Sequence, residues 1–427
     1  MSDTEPGLRT KAPLGGRFWA FWSASLASNT SDGVAMIAVP WLASSLTANP
    51  LLVTAVATAG RLPWLLALPA GALVDRVPRF TLMVCANAAR ALLWTLLAVA
   101  VVTGWISVPL LALFAFCFGA LEVCHDTAAE TTVPTLVPRP ELERANGHLR
   151  SASLIAQEFG GRPIGGFLLA VGLFAPFVVN IAALLVSVGA LSWVRARVPG
   201  TPGAQGQGRG PRGLFRDVAE GVRAVWEQPL LRLVTGIAIV VNASYATALS
   251  TQVLFVRDTL GLGSVGFGLL MAFAAVGGLA GSQSVAWLRR TLPAGTLPTV
   301  CLGMVGAVYL VVAAVPTVPV VAAGYFLASG LVIGYSVSLV SVRQRITPDR
   351  VLGRVNAAMN TVSWGVSAVG MALGGALVAA LVPWSGQSDA LRAPYALIGT
   401  VSVLVVLFLG RRLTRLVRTH DGPGLRC

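Results

Sequence analysis

The chain has 427 residues, of which 55% are hydrophobic and 11% charged, and a formal net charge of +14. This composition is too apolar for an ordinary soluble protein of this length. The basic residues are spread over many loops rather than gathered on one face, which argues against nucleic-acid binding. We therefore expect a protein that spans a lipid bilayer.

Long stretches without Asp, Glu, Lys or Arg divide the chain into membrane-spanning segments. A spanning helix needs about 20 mostly apolar residues, and several stretches are long enough for two helices separated by a turn. The sequence predicts an all-α membrane protein with twelve transmembrane helices, at about residues 17–45, 51–73, 80–103, 108–130, 148–170, 176–195, 229–256, 262–285, 297–315, 319–342, 356–381 and 393–411.

Two six-helix bundles are separated by a polar segment rich in Gly, Pro and Arg. Every second loop is basic, whereas the alternate loops contain only Arg257 and Arg392 as basic residues. This asymmetry predicts that both termini lie in the cytoplasm of a bacterial cell, with the protein in its inner or plasma membrane. The predicted regions are a cytoplasmic tail at 1–16, a bundle at 17–195, a cytoplasmic linker with an amphipathic helix at 196–228, a bundle at 229–411 and a cytoplasmic tail at 412–427.

An internal repeat appears when the sequence is aligned with itself at an offset of 210 residues. Arg144 then meets Arg354, and Asn146 meets Asn356. Six helices repeated in the same orientation about an axis along the membrane normal are typical of transporters whose halves move around a site near the bilayer midplane. The sequence therefore predicts two pseudo-symmetric six-helix bundles.

Residues 71–80 read GALVDRVPRF, a short loop with one acid and two arginines between apolar helices. It resembles the signature loop of the major facilitator superfamily, although Pro78 replaces a glycine and Phe80 a basic residue. The resemblance implies the fold of that superfamily and transport by alternating access. It also implies a latch at the start of the eleventh helix, where a carboxylate is favoured. The implied latch residues are Gly71, Asp75, Arg76, Arg79 and Arg354.

Two further loops, PELERANG at 140–147 and RITPDRVLGRVNAAMN at 345–360, are similar to one branch of that superfamily. This branch contains macrolide-efflux, multidrug-efflux and enterobactin-exporter proteins. The resemblance implies secondary active efflux, but it leaves the cargo open.

Ionisable residues inside the predicted spans point to a functional site, because each costs about 2.5–3.5 kcal/mol at the bilayer centre unless it has a partner or a cavity. Asp32 lies in the first helix, and Glu122, His125 and Asp126 share one face of the fourth. Both helices line the central cavity in the resembled fold. Asp32 and Glu122 are therefore predicted to exchange protons across it. The open alternative is that Asp32 only completes a hydrogen-bond network with Asn29 and Ser31.

The predicted proton-coupling residues also include a pair in the fifth helix. Its sequence EFGGRPIGG is similar to an antiporter signature, but a structural ion pair at i,i+4 spacing is the open alternative. Arg61 and Arg90 are candidate arginines for the site, and Arg90 lies at a depth comparable to Glu122. The full proton-coupling set is Asp32, Glu122, Asp126, Glu158 and Arg162.

The second half contains polar and aromatic side chains in its spans but almost no charges. Cargo pockets are mostly apolar with a few placed polar groups, so we expect an amphiphilic organic cargo that is cationic or neutral. The predicted cargo-binding residues are Asn29, Asp32, Glu122, Asn242, Tyr245, Gln252 and Tyr335.

These features together predict a monomeric proton antiporter that exports amphiphilic small molecules such as drugs, without a cofactor or a bound metal. A dedicated exporter of a siderophore or of a self-made natural product is the alternative. A membrane-embedded enzyme is a distant third possibility, because the chain has no metalloprotease, serine-hydrolase or phosphate-loop motif.

The predicted orientation has a direct test in reporter fusions. Green fluorescent protein fused after Cys427 is expected to fluoresce, because that terminus is predicted to be cytoplasmic. Alkaline phosphatase inserted after Trp105 is expected to be active, because that loop is predicted to lie outside the cytoplasm. Absence of fluorescence from the terminal fusion, together with absence of phosphatase activity at Trp105, would contradict the predicted orientation.

Overall fold

The structure is a computed structural model, and it describes residues 14–66, 77–198, 223, 225–291, 296–346 and 349–420. All regular structure in these residues is helical. The described part contains nine helices that are long and apolar enough to cross a bilayer. The chain is therefore an all-helical, multi-pass membrane protein, as the sequence predicts.

The long helices are numbered α1 to α12 in chain order. A 3-10 turn at Leu62–Leu66 follows α2, a π-helical stretch at Ile155–Gly161 divides α5, and a second one at Phe255–Thr259 follows α7. The bounds are α1 Gly15–Leu46, α2 Pro50–Arg61, α3 Arg79–Val102, α4 Val108–Leu136, α5 Leu142–Leu154 with Arg162–Val171, α6 Ala175–Arg195, α7 Pro229–Leu254, α8 Ser264–Thr291, α9 Leu297–Ala314, α10 Val318–Ile346, α11 Asp349–Ala390 and α12 Ala393–His420.

Three helices are not among the nine apolar spans, and each has a local reason. The centre of α1 carries the polar run at residues 28–32, the described part of α2 is short, and α5 is divided by its π-helical stretch. All three nevertheless pack against other helices: α1 contacts α5 and α6, α2 contacts α4 and α11, and α5 also contacts α8. Packing against protein, rather than high hydropathy, therefore places them among the spans.

The helix ends differ from the predicted ones mainly in the second half. Helix α12 continues to His420 instead of ending at 411, because Leu413 is buried against Leu297 and Leu230. Helix α11 spans 349–390 rather than 356–381 and is kinked at Gly386, whose positive φ of 77° suits glycine. The predicted linker and amphipathic helix fall largely outside the described residues.

The repeat is visible in the backbone. Adding 210 to the bounds of α4, Val108 and Leu136, gives residues 318 and 346, which are the bounds of α10. The fourth helix of each half thus begins and ends at equivalent positions. The two halves are related bundles of the same helical order, in agreement with the sequence repeat.

The described apolar core joins the two halves at one end only. We call the end at which α1 begins the inner end, following the predicted orientation. Towards the outer end, a single buried cluster contains residues of both halves, among them Phe118 and Phe267. At the inner end, the described residues form separate clusters, one around Phe21 and Phe80 and another around Leu230. Among the described residues, the halves therefore share apolar packing at the outer end, whereas those at the inner end belong to clusters of one half or the other.

Polar contacts reinforce the outer closure. Arg257, one of the two basic residues of the outer loops, donates to the carbonyl oxygen of Ser44 at the end of α1 and pairs with Asp258. Gln387 donates to the Ala48 carbonyl at 3.3 Å and to Asp258 Oδ2 at 2.7 Å. These groups link the first half to the second across the outer surface. These contacts explain why an arginine lies in an outer loop, although basic residues are usually concentrated in the inner loops.

Glycine allows α8 and α10 to approach each other at backbone distance. A Cβ atom placed on Gly281 would collide with the backbone of Gly330, and one placed on Gly330 would lie 2.8 Å from the Gly277 carbonyl oxygen. Small residues at such crossings let membrane helices gain close van der Waals contact. A larger residue must therefore separate the two helices.

We expect Gly281→Val to lower the free energy of unfolding by about 1–3 kcal/mol, the usual cost of overpacking. Thermal unfolding of the purified protein in detergent measures this loss. Gly236→Val is the matched control, because a Cβ atom at Gly236 in α7 meets no atom within 4 Å. Equal unfolding temperatures for the two variants would contradict the close packing of α8 and α10.

Candidate functional site

A cavity of about 150 Å³ lies between the two halves. It is bounded by α1, α2, α4 and α5 of the first half and by α7, α8 and α11 of the second. Four charged residues line it, namely Asp32, Glu122, Arg61 and Arg162. The rest of the wall is mostly apolar, with three methionines and three phenylalanines: Met36, Met271, Met371, Phe114, Phe118 and Phe267.

Asp32 lies at the wall of this cavity and forms an ion pair with Arg90 of α3. Both side chains are buried, with 4% of Asp32 and none of Arg90 exposed. Arg90 Nη1 also donates to Ser28 Oγ at 3.1 Å and to Asn87 Oδ1 at 3.0 Å. A buried charge is tolerated only when it is paired and hydrogen-bonded, and these contacts provide both conditions for the pair.

A second layer of hydrogen bonds fixes the helices that carry the pair. Asn87 of α3 donates to Ser187 Oγ of α6 at 2.9 Å. Ser31 of α1 donates to Asn180 Oδ1 of α6 at 2.5 Å, and Asn180 in turn donates to the Pro176 carbonyl. Helices α1, α3 and α6 are thus joined by buried polar contacts around the Asp32–Arg90 pair.

An aromatic group covers the other side of Arg90. The Arg90 guanidinium lies 4.4 Å from the ring centroid of Phe118, within cation–π range. Phe118 packs in turn against Trp94 at 5.8 Å in an edge arrangement and against Phe114 at 5.7 Å in a stacked one. Since Phe118 also lines the cavity, its ring lies at the cavity wall and against Arg90 at the same time.

Glu122 lies near two arginines. Arg90, which the sequence suggested by its depth, pairs with Asp32, and Arg61 and Arg90 both act electrostatically on Glu122. Asp126, one turn further along α4, is half-buried and lies 3.2 Å from His125 Nδ1. The two acids of the cavity therefore share the field of the same arginines.

The alternative network of Asp32 with Asn29 and Ser31 differs from the observed contacts. Asn29 accepts hydrogen bonds from Ser153 at 3.0 Å and Gln157 at 2.8 Å, both in α5. Ser31 bonds α6 instead. These residues serve helix packing on other faces of α1, and Asn29 is not among the residues that line the cavity.

In the second half, Gln252 is the predicted cargo-binding residue that reaches the cavity. It hydrogen-bonds Tyr325, whose hydroxyl lies 2.6 Å from that of Tyr395. Asn242 and Tyr245 are exposed positions of α7 away from the cavity lining, and Tyr335 is buried with the inner cluster of the second half. The structure thus brings Asp32, Glu122, Arg162 and Gln252 together.

The remaining predicted residues lie elsewhere or beyond the described part. Arg79 donates to the Thr131 carbonyl of α4 at 2.7 Å, which ties the start of α3 to the first half. Gly71, Asp75 and Arg76 lie outside the described residues. Arg354 is in α11 and Glu158 in the π-helical stretch of α5, and the side chains of both also lie outside the described part.

Sequence reasoning missed several cavity residues. The three methionines and Phe118 look like ordinary apolar residues of a span, so no pattern marks them. Arg61 and Arg90 were detectable as charges inside predicted spans, but their partners were not. Arg162 reaches the cavity, where its Nη2 lies 3.4 Å from the Met36 sulfur. The described residues contain no group of three or more metal-ligand side chains.

Residues 9–420 match the family described as transmembrane secretion effector. The multidrug efflux pump Tap of Mycolicibacterium fortuitum is 27% identical over 400 residues, which cover 90% of this chain and 94% of Tap. Tap of Mycobacterium tuberculosis is 28% identical over 366 residues, covering 83% of this chain and 85% of the relative. These similarities extend over both halves of the chain.

Solved structures share the fold at low sequence identity. A bacterial homologue of the iron transporter ferroportin in an inward-facing state has a TM-score of 0.73 at 16% identity, covering 95% of this chain and all of that one. A bacterial homologue of the lysosomal transporter Spinster, inward-facing and unoccupied, has a TM-score of 0.68 at 15% identity, with 96% and 99% covered. At such identities the likeness concerns the fold alone.

The buried pair makes a prediction for stability. Arg90→Met leaves the Asp32 carboxylate without its partner, which is expected to cost about 3–5 kcal/mol of unfolding free energy. The double variant Asp32→Asn with Arg90→Met removes both charges and is expected to lose less than the sum of the two single losses. Thermal unfolding of the double variant and of the two single variants, Asp32→Asn and Arg90→Met, completes a double-mutant cycle. A loss in the double variant equal to the sum of the single losses would show that the pair is not coupled.

Proposed function

Because the chain belongs to the transmembrane secretion effector family of the major facilitator superfamily, we propose that it exports amphiphilic small molecules in exchange for protons. A transporter of this family moves its cargo through the membrane by alternating access between two bundles. The observation that carries the proposal is a largely apolar cavity between the halves in which two acids face the same space.

The chemistry of the cavity wall supports an amphiphilic cargo. Met36, Met271 and Met371 offer flexible, polarizable side chains, which suit surfaces that accept differently shaped apolar groups. Gln252 and Glu122 add polar groups that orient a cargo. Such a wall fits organic drugs better than sugars or nucleotides. The relatives named as multidrug efflux pumps support the same class.

Proton exchange is assigned to Asp32 and Glu122. Both acids lie in the cavity wall, and protonation of Asp32 weakens its ion pair with Arg90 and so changes the contacts between helices. Glu122 lies in the field of Arg61 and Arg90, Arg162 adds a third positive charge to the same space, and Asp126 lies one turn from Glu122. Two acids among these arginines allow alternate protonation as the halves move.

The driving force is adequate for export. A membrane potential of about 150 mV supplies roughly 3.5 kcal/mol for each proton that enters the cell. This energy supports a cargo gradient of about 300-fold when one proton is exchanged for one uncharged cargo molecule. We also propose that the loop containing Asp75 and Arg76 closes the inner end against α11.

The proposal is tested with purified protein in liposomes and ethidium as the transported probe. We expect Asp32→Asn and Glu122→Gln each to abolish uphill ethidium transport driven by a proton gradient, because neither amide can carry the proton. Ethidium binding, followed by fluorescence, is expected to persist. Asp389→Asn is the control, because this exposed acid pairs with Arg392 in the outer loop. Unchanged proton-driven transport in both cavity variants would refute proton exchange at these acids.

A further inference from the structure

Phe118 contacts two different parts of the molecule through one ring. The ring forms part of the cavity wall, beside Asp32 and Glu122. It also covers the guanidinium of Arg90, which is itself fully buried. A cargo molecule in the cavity is therefore linked to Arg90 through this ring as well as through Asp32, which lines the same cavity.

Two further aromatic side chains pack against the ring of Phe118. Trp94 of α3 is 1% exposed and meets the ring edge at an interplanar angle of 79°. Phe114, one turn earlier in α4, stacks on it at 28°. Close-packed side chains of this kind shift together rather than independently. Pressure on the cavity side of Phe118 is consequently directed towards Arg90.

Arg90 in turn sets the environment of Asp32. Its Nη2 contacts the carboxylate and its Nη1 is held by Ser28 and Asn87, whereas its Nε has no hydrogen-bond partner among the described residues. The ring of Phe118 lies over the face of the Arg90 guanidinium group. Removal of the ring leaves Arg90 freer to move away from Asp32.

Other charges around Asp32 must be considered as well. Glu122 and Asp126 of α4 act on it electrostatically, and Arg61 of α2 and Arg162 of α5 line the same cavity. Arg90 of α3 differs from these groups because it is in direct contact with both the carboxylate and the aromatic ring. One contact chain from the cavity to the carboxylate therefore runs through Phe118 and Arg90, beside the direct position of Asp32 in the cavity wall.

We infer that Phe118 and Arg90 are positioning residues that couple cargo in the cavity to the protonation of Asp32. This inference rests on the proposed function. Cargo packed on Phe118 presses the ring onto Arg90, strengthens the ion pair and favours release of the Asp32 proton. Protonation of Asp32 releases Arg90 and the ring, and so weakens the contact with cargo. Thermodynamic linkage requires that cargo change the free energy of Asp32 protonation by the same amount as protonation changes the free energy of cargo binding.

Infrared spectroscopy of the full-length protein in lipid tests this coupling without a transport assay. The band of the protonated carboxyl that disappears in Asp32→Asn reports Asp32. In Phe118→Leu we expect the ratio of protonated to ionised Asp32 at fixed pH to rise about 2- to 30-fold, the range that corresponds to loss of one cation–π contact. Phe118→Met, which retains more of the volume, is expected to act in the same direction, and Phe118→Trp to restore the native ratio.

Phe267→Leu is the matched control, because Phe267 also lines the cavity but stacks on Trp41, while the ring over Arg90 is that of Phe118. It is expected to weaken ethidium binding but to leave the Asp32 band unchanged. An equal change in Phe267→Leu and Phe118→Leu, or no change in either, overturns the inference.

Ethidium then separates this inference from the proposed function. In the unaltered protein, ethidium is expected to decrease the protonated Asp32 band about 5-fold or more, and this response is expected to be lost in Phe118→Leu. A response that persists in Phe118→Leu overturns the inference alone. Absence of any ethidium binding or proton-driven transport in the unaltered protein overturns the proposed function. In that case, the comparison of the two Leu variants without ethidium still decides the role of Phe118.

Discussion

The ion pair between Asp32 and Arg90 is the contact on which the rest of the site depends. A carboxylate near the middle of a membrane helix is stable only if a positive charge and hydrogen bonds accompany it. Arg90 supplies the charge, and Ser28 and Asn87 hold Arg90 in place. The polar residues that interrupt α1 thus define where α1, α3 and α6 meet. Because one proton neutralises the carboxylate, the same contact that stabilises the bundle is sensitive to protonation.

The two halves share a backbone plan but differ in chemistry. The first half supplies the charged groups of the cavity, whereas the second contributes Gln252 and, behind it, the hydroxyl contact between Tyr325 and Tyr395. Asn242, which the 210-residue offset aligns with Asp32, is not among the cavity-lining residues. The sequence repeat therefore preserved helix positions while the side chains diverged. This asymmetry favours proton handling in the first half and a cargo surface built by both.

Closure at the outer end uses contacts of a kind that can separate again. The apolar cluster shared by the halves is bordered by a few polar contacts, in which Arg257 and Gln387 bond carbonyl groups of the first half. Hydrogen bonds at an exposed surface contribute little net free energy, because water replaces them readily. Alternating access needs two packed arrangements of similar free energy. The polar contacts that border the apolar cluster at the outer end are compatible with that requirement.

The sequence by itself determined the helical membrane fold, the repeat and the acids of the site. In hydrocarbon the backbone polar groups must be hydrogen-bonded within the protein, which favours helices. The depth of each residue in the membrane follows from the helical rise of about 1.5 Å per residue. Depth alone could not identify the ion-pair and hydrogen-bond partners. By sequence, Arg90 lies at a depth comparable to Glu122, but it pairs with Asp32, and Asn29 accepts a hydrogen bond from α5. Only the tertiary structure decided these pairings and placed Phe118 between cavity and Arg90, because they depend on how each helix is rotated about its axis. That rotation is set by packing against neighbours that are distant in the chain.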